Sequence, residues 1–110
     1  MIYLGCPYSH PDPEVRLERF RAANRVAGRL MLMGEIVFSP ISHGHPIAEA
    51  VELPKDWAFW GKHCEAMLRL SHQMNYLKLP GWETSEGLQN EIILCDRWGI
   101  PLRPIEREEI

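Results

Sequence analysis

The sequence predicts an α/β domain built on a small parallel sheet with helices on both faces. Short apolar runs alternate with longer stretches of helical periodicity along the whole chain, the order expected of strands joined by helical crossovers. The segments richest in Gly, Pro, Ser and His, at 5–12, 39–46 and 80–85, each follow an apolar run. In open sheets of this kind ligands sit outside the carboxyl ends of the strands, so pattern and topology point to one working edge.

Ile2-Tyr3-Leu4-Gly5 reads as a buried first strand. Asp12-Pro13-Glu14 signals a helix start, because Asp12 can cap free N–H groups and proline lacks an N–H that the first turn does not need. Leu17, Phe20, Asn24, Ala27 and Met31 follow at helical spacing, with Val26 and Leu30 widening the stripe and Gly34 as the stop. Residues 35–39 form the second strand, followed by a polar loop through Pro46 and a short helical piece over 47–51. Asp56 opens the next helix, with Trp57, Trp60, Cys64 and Leu68 on one face. Residues 74–79 form a third strand and 80–84 a loop. Ser85 caps a helix whose buried stripe is Leu88, Ile92 and Cys95. Gly99 closes that helix, and 101–105 is a last short strand. The expected order is β-α-β-(α)α-β-α-β in one domain spanning residues 1–110.

Composition limits the partners. A net charge of −3 and a pI near 5.9 argue against a nucleic-acid polymer, which needs a basic face. A single nucleotide, held by a few local donors, remains compatible. Three cysteines without a CxxC fit a reducing compartment rather than a disulfide framework. The first residues have no signal-peptide pattern and no run is long enough for a transmembrane helix, so a cytoplasmic protein with no membrane partner is expected.

Glu91 is the carboxylate of greatest interest on that edge. At about 100° per residue it lies on the flank of the Leu88, Ile92 and Cys95 stripe, about one and a half turns into the helix, where partial burial prepares a nucleophile or general base. Alone, such a residue reads more readily as a surface glutamate with a snorkelling stem, since most helix-flank carboxylates do nothing chemical. Ser85, at the helix start, marks an anion site or an ordinary cap, and Glu83 and Glu86 nearby oppose an anion. Tyr3 reads as a core tyrosine whose hydroxyl needs a partner. His43 and His45 straddle Gly44 without a third and fourth metal ligand at convincing spacing, so neither metal nor cofactor is expected. The tryptophans read as core, except Trp82, which lies in a loop at the working edge.

The segments 2–10 (with Cys6-Pro7-Tyr8-Ser9-His10), 37–40, 57–60 and 79–91 resemble the nucleoside 2-deoxyribosyltransferase-like superfamily, in particular a small bacterial and phage branch with CPYSH and LPGW…S.G…E signatures. The resemblance covers nearly the whole chain. It implies a flavodoxin-like or Rossmann-like three-layer fold and cleavage of the N-glycosidic bond of nucleosides or nucleotides. It implies a glutamate nucleophile four residues after a glycine, which Gly87 and Glu91 match, and a first-strand tyrosine touching it, which Tyr3 matches. Ser85 stands where the 5′-monophosphate hydrolases of the superfamily have a phosphate-contacting serine. Gly5, Cys6, Tyr8, Ser9, Ser39, Ser42, His43 and Trp82 are then expected around the substrate, and a homo-oligomer is expected because in relatives a neighbouring subunit completes the pocket. The chain departs from the pattern at Cys64, where many relatives carry an aspartate; either another acid such as Asp56 serves, or turnover is weak or absent. Two other classes stay open: a binding or sensing module that holds a nucleotide without cleaving it, and a metal-dependent protein using His43, His45 and Cys6.

Overall fold

The computed structural model describes all 110 residues. Its elements are β1 (Ile2–Gly5), α1 (Pro13–Leu32), β2 (Val37–Phe38), α2 (Pro40–Val51), α3 (Trp57–Arg69), β3 (Gln73–Leu77), α4 (Glu86–Trp98) and β4 (Leu102–Ile105). Short 3-10 turns cover Trp82–Thr84 and Arg107–Glu109. The four strands are all parallel, in the order β2-β1-β3-β4. No helix is long and apolar enough to cross a membrane.

Alternation along the strands divides the core into two layers. Leu4, Leu77 and Ile105 pack with Ala23, Val26, Ala27 and Leu30 of α1. Tyr3 and Met74 pack on the opposite side with Leu68 of α3 and Leu88, Leu94 and Cys95 of α4. This parity carries Tyr3 to α4. Gly5 shares that side, and a Cβ there would stand 2.9 Å from Leu88 Cδ1 and 3.1 Å from Met74 Cε, so its missing side chain lets α4 approach β1.

Both ends of α4 follow from local chemistry. The Ser85 hydroxyl accepts from the Leu88 N–H at 3.5 Å, and Gly99 closes the helix with φ of 69°. Helix α1 is capped as expected by Asp12, which accepts from the Glu14 N–H at 2.9 Å. Its buried face, however, is Arg19, Ala22, Ala23, Val26, Ala27 and Leu30, while Met31 is 54% exposed and Asn24 is exposed. The small alanines seat the helix close to the sheet, and the larger apolar side chains at its end, Met31, Leu32 and Met33, are exposed.

The largest correction concerns residues 40–46, which continue the helix of 47–51 rather than forming a loop. Ser39 caps it by accepting from the Ser42 N–H at 3.1 Å, and Pro40 occupies the first turn. Pro46 lies inside the helix, where it lacks the N–H that would reach the Ser42 carbonyl. Gly44 is buried against the Trp60 ring, 3.4 Å from where its Cβ would stand. Gly44, which reads as a helix breaker, is held by this contact between α2 and α3. The second strand is correspondingly shorter than expected, at two residues.

Candidate functional site

One cavity of about 320 Å³ opens among the β1–α1 loop, α2, α3 and the start of α4. That volume lies at the small end of the range for small-molecule sites. Glu91 lines it. Rather than flanking the buried stripe of α4, Glu91 belongs to it, at 4% exposure, and Ile92 is the less covered residue. The Tyr3 hydroxyl donates a hydrogen bond to Glu91 Oε2.

Burial pushes the Glu91 carboxyl up to about 7, and the neighbouring Tyr3 hydroxyl and Cys64 thiol offset part of that rise. The same burial, and then the charge of Glu91, push the Tyr3 phenol well above its ordinary value. Burial and then Glu91 also raise the Cys64 thiol to about 12. Tyr3 therefore stays a hydrogen-bond donor, Cys64 stays a thiol, and Glu91 is the group of the three that can exchange a proton near neutral pH.

The start of α4 contributes Ser85, Glu86 and Gly87 to the same cavity. Helix N–H groups without intrahelical partners face the end of such a helix and favour an anion, while Glu86 opposes one. Lys55 is the cationic residue of the lining.

Cys6, Tyr8 and Ser9 line the cavity from the β1–α1 loop. Cys6 is buried, donates to the Pro7 carbonyl at 3.2 Å, and has a thiol pushed far up by desolvation. The Ser9 hydroxyl donates to the Lys55 carbonyl at 2.8 Å and so ties the loop to the α2–α3 connection. Arg19 anchors the loop from below, donating to the carbonyls of Tyr8 at 3.2 Å, Ser9 at 3.1 Å and Pro80 at 2.9 Å.

Five expected residues lie elsewhere. Ser39 is spent on capping α2, and the Ser42 hydroxyl donates to Asn24 Oδ1 at 2.5 Å. His43 is exposed and packs on Phe38 at 5.5 Å between ring centroids. Trp82 turns away from the cavity, against Tyr76 at 5.7 Å with Lys78 Nζ 5.3 Å from its ring centroid. Gly5 acts behind the wall, through Leu88. Helical geometry separates His43 from the site: once 40–46 is a helix, His43 and His45 cannot share a face. No three His, Cys, Asp or Glu side chains converge as a metal site.

The cavity also uses Trp57, Trp60 and Cys64, which the sequence pattern assigns to the core and which form the wall contributed by α3, while Gly44, His45 and Ala48 form that of α2. Their apolar spacing is the same whether a helix faces packed atoms or a hollow, so periodicity alone carries no signal for the difference. His45 is marked further by its hydrogen bond to Tyr8.

No curated protein matches the chain. A family model described as "Domain of unknown function (DUF1937)" matches residues 1–105, nearly the whole chain, and the protein belongs to that family.

Proposed function

We propose that this protein cleaves, or transfers from, the base–sugar bond of a nucleoside 5′-monophosphate, with Glu91 as nucleophile, as the resemblance to nucleoside 2-deoxyribosyltransferases implies. The observation that carries this reading is the Glu91 carboxylate, buried on a cavity wall and oriented by the Tyr3 hydroxyl. Cleavage of a glycosidic C–N bond develops positive charge at C1′. A carboxylate with little water around it is poorly stabilised alone and gains strongly when a cationic centre forms beside it. With its proton leaving near pH 7, Glu91 is ionised in a substantial fraction of molecules at neutral pH.

The α4 start supports a 5′-phosphate. Glu91 follows Ser85 by six residues, about 9 Å of helix rise, a span suited to a sugar phosphate reaching from the carboxylate to the helix N-terminus. Trp57 and Trp60 supply flat apolar surface for a base. By analogy with the superfamily the working form is a homo-oligomer, which light scattering of the purified protein checks.

The test offers the purified protein a panel of nucleosides and their 5′-monophosphates and follows release of free base. Base release is expected from the monophosphates and is lost on Glu91→Ala. Base release that persists in that variant eliminates the assignment.

Cys64 favours a second reading, a module that binds the same nucleotide without cleaving it. Its thiol stands beside Glu91 where relatives carry an acid, and it keeps its proton up to about pH 12. Tight binding by calorimetry with no product over hours decides for that reading.

A further inference from the structure

The cavity contains a second polar pair that the nucleophile does not use. His45 Nδ1 stands 2.5 Å from the Tyr8 hydroxyl. The imidazole stacks on Phe20, with ring centroids 4.3 Å apart and planes 25° apart, and meets the Tyr8 ring edge-on at 5.6 Å. Both His45 and Tyr8 line the same cavity as Glu91. Phe20 fixes the plane of the imidazole and Tyr8 engages Nδ1, which leaves Nε2 as the ring nitrogen without a hydrogen-bond partner in the protein.

Glu91 chemistry needs such a group. Breaking the C1′–N bond leaves its electron pair on the base, and a base that accepts a proton departs more easily. Cys64, the nearest substitute for the missing acid, is a weak donor that holds its proton.

We propose that His45 is the general acid–base residue of this cavity, delivering a proton to the departing base through Nε2, with Tyr8 as the positioning residue that fixes its tautomer. The inference rests on the nucleotide-cleaving reading of Glu91. In the first half-reaction a Glu91 carboxylate oxygen bonds to C1′ as the C1′–N bond breaks. The electron pair of that bond goes to the base, and the Nε2 proton of the imidazolium moves to a base nitrogen. In the second half, water attacks C1′ and the Glu91–C1′ bond returns its electron pair to the carboxylate. The proton released by water goes to Nε2. One water is consumed, and free base and sugar 5′-phosphate are produced. Throughout, Nδ1–H donates to the Tyr8 oxygen, so only Nε2 changes state.

The experiment compares leaving groups. Wild type, His45→Gln, Tyr8→Phe and Glu91→Gln are assayed on guanosine against 7-methylguanosine 5′-monophosphate, and on uridine against 5-fluorouridine 5′-monophosphate, in ribo and deoxyribo forms. The second base of each pair departs with less help from a proton. His45→Gln is expected to lose on the order of 100-fold in kcat on the first of a pair and about tenfold or less on the second. Tyr8→Phe, which keeps the ring and deletes the hydroxyl, shows a smaller loss with the same preference. Glu91→Gln loses activity on both members alike. Equal losses on both members for His45→Gln and Tyr8→Phe overturn the role of His45 and leave that of Glu91 standing. A wild type that releases no base from any of these nucleotides overturns both.

Discussion

Replacing Glu91 by glutamine tests the physical premise of the site without any substrate. In the folded chain the carboxyl titrates near 7, against 4.5 ordinarily, because it is desolvated. At about 1.4 kcal/mol per pH unit, that gap corresponds to about 3 kcal/mol. Below about pH 4.5 both folded and unfolded chains carry the proton, and burial of Glu91 has no ionisation cost. Between 4.5 and 7 the unfolded chain has released its proton while the folded chain holds it, so stability falls as pH rises. Above 7 both are ionised and the full cost is present. Glu91→Gln keeps the shape and an oxygen to accept from Tyr3, and it never ionises. Its stability relative to wild type should therefore increase by about 3 kcal/mol from pH 4.5 to pH 7.5, roughly 10 °C in Tm for a domain of this size. Urea unfolding of both proteins across that range measures the difference. A difference that does not change with pH refutes the claim that this carboxyl is desolvated in the fold.

Two further outcomes follow from the same geometry. Tyr3→Phe removes a hydrogen bond that holds the Glu91 carboxyl down, so the Glu91 midpoint should move above 7, and a carboxyl-detected NMR titration showing an equal or lower midpoint contradicts this. In Gly61→Ala the new Cβ would stand 2.9 Å from Trp57 Cε2 and 3.0 Å from Nε1. A rigid indole must swing into the cavity or away from it, costing about 1–3 kcal/mol and, on the proposed function, weakening nucleotide binding, which urea midpoints and calorimetry check together.

The sheet was legible because its signals are local. Ile2–Gly5 lies in a short apolar run, and Asp12, Ser85 and Gly99 carry their capping chemistry with them. The Tyr3–Glu91 pairing was legible through the resemblance, although 88 residues separate the two. Helix α2 was not, because Gly44 and Pro46 are locally poor helix residues. The contact of Gly44 with Trp60 is made across space and leaves no mark on the sequence. Trp82 shows the converse, since a loop position at the right edge does not determine which way a ring turns, and here it turns to Tyr76 and Lys78.

By itself the sequence determined the α/β class, because hydrophobic periodicity and caps act within a few residues of one another. It also placed Glu91 near the buried side of the last helix. Only the tertiary structure decided that Glu91 is covered on every side but the cavity, and that Trp57, Trp60 and Cys64 border a hollow rather than packed core. Periodicity sets the angle of a side chain about its own helix, whereas the groups that meet the carboxyl, Tyr3 and Cys64, come from β1 and α3, and burial among them raises it toward 7.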